Sequence, residues 1–290
     1  MGVVTLKLAA KEARVGDFPV RRALPEARRR TVGPVCFLDH MGPHTTVATA
    51  QGGVGPHPHI GLATVTYLFE GEVLHRDSLG NAQLVTPGDV NWMQAGAGIV
   101  HSERTPPHRV GQRSAMHGLQ MWVALPPQAE VAAPSFQHVA KSELPRSVGA
   151  GVSLAVVLGA WGPLRSPVKL ASPTFYVVAE QEPGATLEIP AQFSERALYV
   201  VEGEVELDGQ TVAAGELVVL EAGVAALACA SAAARVAVFG GEPLEGPRFM
   251  WWNFVSSRRE LLEQAKDDWR HRRFPLIPGD SDERIPMPGE

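Results

Sequence analysis

Cysteine is scarce: Cys36 and Cys229 are the two in 290 residues. Far apart in the chain, they make neither a disulfide framework nor a Cys-x-x-Cys metal site, and their scarcity fits a reducing compartment. No apolar run approaches the roughly 18 residues that a membrane-spanning helix requires. Positive charge is also short, with 26 Lys and Arg against 31 Asp and Glu and a net charge of −5. No overall basic field exists to hold nucleic acid. The one basic cluster, Arg28-Arg29-Arg30 with Arg21 and Arg22 nearby, sits beside Pro25 and Glu26 and reads as a solvated loop. Residues 1–10 are too weakly apolar for a signal peptide. These deficits predict a cytoplasmic protein with no membrane or direct nucleic-acid partner.

Tyrosine is rare, at three, whereas histidine numbers ten, and no histidine lies between His138 and His271. Glycine and proline are abundant, at 29 and 24. That abundance argues for short elements separated by turns and against a helical bundle. From about 32 to 125, runs of β-branched and aromatic residues such as Thr64-Val65-Thr66-Tyr67-Leu68-Phe69 alternate with turn signals such as Ser78-Leu79-Gly80-Asn81 and Pro87-Gly88-Asp89. The pattern reads as antiparallel hairpins, with no competing helical period. A Pro-rich linker follows at 125–134, and the strand pattern then resumes.

The two halves share a phrase. Tyr67-Leu68-Phe69-Glu70-Gly71-Glu72-Val73 is echoed 132 positions later by Tyr199-Val200-Val201-Glu202-Gly203-Glu204-Val205. Each copy is followed by a small-residue turn, which predicts a duplicated β-domain. The expected divisions are 1–133, 134–250 and a C-terminal segment 251–290. In that segment Ser257 stands three residues before Glu260, a capping-box spacing, and Leu261, Leu262, Ala265 and Trp269 form an apolar helical stripe. Trp251-Trp252 reads as a packing anchor.

The chemistry concentrates in two pairs. His57 and His59 are two apart, in Gly55-Pro56-His57-Pro58-His59. On an extended segment such residues share a face, and Pro58 favours extension at His57. His101 and Glu103 repeat the spacing. If both pairs face inward, three imidazoles and a carboxylate converge. That set suits a borderline divalent ion, namely Fe, Ni, Cu, Mn or Zn, and leaves two positions of an octahedron open. His75 and His117 read as structural, and His40, His44, His108 and His138 as loop or surface residues.

These motifs resemble those of the pirin family of the cupin superfamily. The resemblance rests on residues 55–59, on Glu70-Gly71-Glu72-Val73-Leu74-His75-Arg76-Asp77-Ser78-Leu79-Gly80-Asn81, and on Pro87-Gly88-Asp89-Val90 with Gly96-Ala97-Gly98-Ile99-Val100-His101-Ser102-Glu103. Val32-Gly33-Pro34, Asp39-His40-Met41-Gly42-Pro43, His117-Gly118-Leu119-Gln120-Met121-Trp122 and Trp251-Trp252-Asn253-Phe254-Val255 extend it. It implies a mostly β bicupin: two antiparallel β-barrel (cupin or jelly-roll) domains packed face to face, with a short C-terminal α-helix. It further implies one metal, iron(II) before Zn, Ni, Mn or Cu, held by His57, His59, His101 and Glu103. The activity implied is dioxygenation of a flavonol-type, quercetin-like enolic substrate with O2, with Glu103 also serving as catalytic base. The alternative implied is a metal- or redox-sensing regulator acting through a protein partner.

Pirins commonly read HPHRGFET at the first motif, and this chain has Ile60 for the Arg and Ala63 for the Glu. By strand parity position 63 shares the face of His57 and His59, so the loss of a carboxylate there leaves the ligand role to Glu103. In the second half, a displacement of 132 places Ile189 and Ala191 opposite the first pair, and 225–230 opposite the second pair holds no Glu. The second domain is therefore expected to be structural, with no His-based site.

Overall fold

The computed structural model describes residues 2–15 and 18–290. The chain forms two compact units, each assembled from separate stretches. One takes 1–13, 21–40 and 142–244, and the other takes 14–20, 41–141 and 245–290. The expected blocks 1–133, 134–250 and 251–290 differ from this in three respects, the first being that 21–40 group with the later half. The first strand, Val4–Ala9, pairs antiparallel with Glu216–Leu220, so it belongs with the later half. The C-terminal segment joins the unit that carries the histidine pairs.

Both units are antiparallel β and repeat one strand order. In the histidine-bearing unit a four-stranded sheet runs Gly53–His59, Ile99–Arg104, Val73–Asp77, Ala82–Val85. In the other unit the corresponding sheet runs Thr186–Ile189, Ala226–Ala230, Glu204–Leu207, Gln210–Ala213. The larger sheets agree as well. One runs Ser135–Val139, Val90–Gln94, Leu62–Glu70, Arg113–Ala124, Val35–Val47, Phe18–Leu24, Lys11–Val15. The other runs Val4–Ala9, Glu216–Leu220, Glu195–Glu202, Ala234–Gly241, Thr174–Gln181, Val152–Leu158, Arg146–Gly149. The antiparallel barrels expected thus take the form, among the described residues, of two seven-stranded and two four-stranded sheets.

The duplicated phrase has a backbone cause. Gly71 and Gly203 both sit at positive φ, +88° and +72°. A Cβ at Gly71 would run into the Ala115 carbonyl, and one at Gly203 into the Ala233 carbonyl. Each is a tight turn that admits only glycine without strain.

The unit without the histidine pairs is filled with apolar side chains. Ile189 faces Ala226 across the ladder, and Leu187 faces Ala228. All four are buried in one core with Leu207, Leu198 and Val205. Alternating exposure along Thr186–Ile189, Glu204–Leu207 and Ala226–Ala230 is the period-two signature of a sheet wetted on one face.

The C-terminal segment forms a hairpin, Phe249–Trp251 with Phe254–Ser256, and then the helix Arg259–Arg270. Leu262, Ala265 and Trp269 of the stripe are buried against Ile60, Val100 and Phe254. The capping box does not form. Arg258 occupies the N-cap with no side-chain cap bond, because Ser257 is engaged elsewhere: its N–H and hydroxyl donate to Glu130 at 2.8 and 3.0 Å. No helix among the described residues is long and apolar enough to cross a membrane.

Candidate metal centre

His57 and His101 face each other directly in the ladder between Gly53–His59 and Ile99–Arg104. Just beyond, the register slips, so that Glu103 lies opposite Val54. The extra residue on the His57 strand is a bulge, a device that re-aims side chains beside functional sites. Here the Gly55 carbonyl accepts a hydrogen bond from Nδ1 of His57, two residues on in the same strand, at 2.7 Å. His59 Nδ1 donates to the Asn253 carbonyl at 3.0 Å. With the protons on Nδ1, both rings present a lone pair at Nε2.

His57, His59 and His101 are all buried, and their ligand nitrogens lie within 4.8 Å of one another. His59 Nε2 and His101 Nε2 are 3.1 Å apart. Burial lowers the pKa of all three. His57 falls to about 4, and His59 and His101 fall well below 6.5, with His57 also disfavouring a charge on the other two rings. All three are therefore neutral at pH 7.

Glu103 stands outside this group of three. It is partly buried, and its Oε1 accepts a hydrogen bond from Thr66 Oγ1 at 3.1 Å. Desolvation raises its pKa, opposed by the nearby His75 and by the Thr66 hydroxyl. His75 pairs with Glu103 in the next ladder. Its Nε2 lies 3.2 Å from Asp77 Oδ2, and its ring stacks on Phe136 at 4.5 Å. It is a buried neighbour of the centre, 5.3 Å from the His101 ring, and is not among the three convergent rings. His117, against Phe69, is structural as expected. His40 departs from the loop or surface reading: it is buried in the long strand Val35–Val47, its Nδ1 2.9 Å from the Tyr199 hydroxyl.

The larger sheet supplies the opposite wall. Trp122, Thr64, Met93 and Phe136 form one cross-strand row, and Gln120, Thr66, Asn91 and His138 form the next. Trp122 packs edge-on against His59 at 5.2 Å, while Thr66 meets Glu103. Sequence inspection missed Thr66 and Trp122, although their period-two spacing with Thr64 and Gln120 was the available signal.

The same alternation corrects the reading of position 63. Thr66 faces Glu103, so Ala63, three positions away on one strand, faces the other way. The parity argument failed at Gly61, whose φ of +67° ends one strand before the next begins in a different sheet. Ala63 pairs with Val123 and Gln94 and is fully buried.

A cleft of about 610 Å³ reaches Glu103 and Arg104, with Phe18, Val47, Met116 and Ile285 among its walls. Its size is that of a small-molecule site.

Two family models match the chain: Pirin over residues 17–123, and the Pirin C-terminal cupin domain over residues 176–275. The chain belongs to the pirin family. A pirin-like protein of Caulobacter vibrioides is 45% identical over 99% of this chain and 100% of its own length. A crystal structure of quercetin 2,3-dioxygenase from Acinetobacter baumannii superposes with a TM-score of 0.89 at 34% identity, covering 98% of this chain and 95% of that one. A second quercetin 2,3-dioxygenase structure from the same organism gives 0.88 at 27% identity, covering 94% and 98%.

The residues of this pirin fit a divalent ion. Two imidazole nitrogens bound to one ion at about 2.1 Å, at a right angle, would lie about 3 Å apart, which matches the His59–His101 spacing. Neutral rings with lone pairs turned to one point are the state that ligation requires.

Proposed function

We propose that this pirin is a non-haem metal dioxygenase that acts on flavonol-type enolic substrates with O2. His57, His59 and His101 hold the ion, iron(II), and Glu103 completes the set. The observation that carries the reading is the convergence of three buried, neutral imidazoles, with the carboxylate of Glu103 two residues from His101 lining a cleft. A 34% identical protein called quercetin 2,3-dioxygenase shares the fold over nearly the whole chain.

Iron(II), when bound, supplies Lewis acidity and one-electron redox capacity, which an enol and O2 both require. The chain's own residues do the remaining work. Burial keeps the three rings neutral. The Gly55 and Asn253 carbonyls fix two of them with Nε2 facing the site. Thr66 holds Glu103 by Oε1, so that the carboxylate, once released from the ligand set, takes the proton from the enolic hydroxyl through Oε2. Trp122 closes the His59 side against water, and the apolar cleft wall receives the aromatic rings of the substrate.

The test is turnover of quercetin by the iron(II)-loaded protein under air, followed by loss of substrate absorbance and by oxygen uptake. Both should proceed together, and Glu103→Gln should reduce the rate by about 10²–10⁴-fold. Substrate loss no faster than in a His57→Ala control would refute the assignment.

A further inference from the structure

The C-terminal segment makes direct contact with the candidate centre. The Asn253 carbonyl accepts from His59 Nδ1 at 3.0 Å. It lies in the two-residue turn of the hairpin Phe249–Ser256, where Trp252 has a φ of +51°. A left-handed backbone at a bulky residue is costly and persists only when its surroundings hold it. Here the Trp252 ring packs edge-on to Phe254 at 5.5 Å and meets Trp269 of the helix at 6.2 Å. Lys266 and Arg259, on the same helix, lie over the Trp251 and Phe249 rings.

The segment is fastened to both ligand-bearing strands. Val255 N–H donates to the Ile60 carbonyl at 3.2 Å, one residue beyond His59. Gly61 must be glycine there, since a Cβ would strike the Val255 carbonyl. Ile285 N–H donates to the Pro56 carbonyl at 2.8 Å, one residue before His57. On the other strand Arg104, three residues past His101, makes two 3.1 Å bonds to Asp280.

We infer that the Asn253 turn positions a metal ligand, so that ion binding at the three histidines and docking of residues 249–285 stabilise one another. A ring held by a hydrogen bond on its far nitrogen gives up less freedom when it ligates. Coupling of this kind is reciprocal: whatever orders the hairpin strengthens the ion, and the ion orders the hairpin to the same extent. The inference rests on the three rings holding an ion, as in the function proposed above, and is independent of oxygen chemistry.

The test uses the full chain with zinc(II), which is redox-inert. Amide hydrogen exchange across 249–256 is measured with and without zinc, alongside zinc affinity from chelator competition. Zinc should slow exchange in the hairpin, and Phe254→Ala, which loosens it, should weaken zinc by about 10- to 100-fold. Leu207→Ala, a core truncation in the other unit, should leave zinc affinity within twofold. Zinc that binds without slowing hairpin exchange overturns the inference while leaving the proposed function standing. Equal loss of affinity in both variants also overturns it, as does failure of zinc to bind. If Phe254→Ala does not fold, exchange in the unaltered protein decides alone.

Discussion

His57 carries an electrostatic cost of burial. Burial lowers its pKa from 6.5 to about 4, so as pH falls the unfolded chain binds the proton before the folded one does. The metal-free protein should keep its stability above pH 6.5 and lose it progressively down to about pH 4. Urea unfolding midpoints across that range check the sign, and His57→Leu, which removes one such site, should make the fall shallower. The convergence of His57, His59 and His101 was legible because side chains alternate along a strand, whereas Glu103, past a register shift, stands outside that group. That rule breaks at Ala63, where a positive-φ glycine lies between the motif and the position. Ala63→Glu would therefore add no ligand. It would bury an unpaired carboxylate on the far face of the strand, at a cost of about 3 kcal/mol or more. A lower unfolding temperature with unchanged metal content is the expected result.

Among the elements, the C-terminal helix was legible from its apolar stripe, but its start was not. Ser257 and Glu260 have capping-box spacing, yet Glu130, distant in sequence, takes the Ser257 donors first. Glu130 also accepts from Ser256 Oγ at 2.9 Å and pairs with Arg248 Nε at 3.1 Å, both charged side chains being almost wholly buried. No local pattern announces a partner more than a hundred residues away. For the same reason the Asn253 carbonyl was invisible, since a backbone acceptor has no residue-type signature. Glu130→Ala should cost about 3–5 kcal/mol, because it strands a buried guanidinium and three donors together. Denaturant unfolding of the variant measures it, and a cost below about 1 kcal/mol would show that the pair is not what holds the hairpin.

On the scale of the whole molecule, one strand order is built twice with opposite interiors. Where His57 faces His101, the other unit has Ile189 facing Ala226. The gap in histidine between 138 and 271 makes this asymmetry legible in the sequence, because imidazole ligands cannot arise from Ile, Leu and Ala. What the gap did not disclose was how the chain is shared between units, which depends on the pairing of residues 4–9 with 216–220. One ion per chain is expected from elemental analysis. Leu207→Ala should destabilise the fold by about 2–5 kcal/mol without changing that stoichiometry.

Gly53–His59 is the outermost strand of its four-stranded sheet, and an open strand edge is where chains normally zip together into aggregates. Pro56 and Pro58 remove that hazard. The Pro56 carbonyl points outward, to Ile285, so the nitrogens of residues 56 and 58 lie along the same outer margin, and neither carries a hydrogen. This margin can accept hydrogen bonds but cannot donate them at those positions. It takes the N–H of a single incoming residue from its own chain, yet it cannot complete the alternating exchange that a second β-strand would need. The prolines of this histidine motif thereby also keep its outer margin from templating self-association.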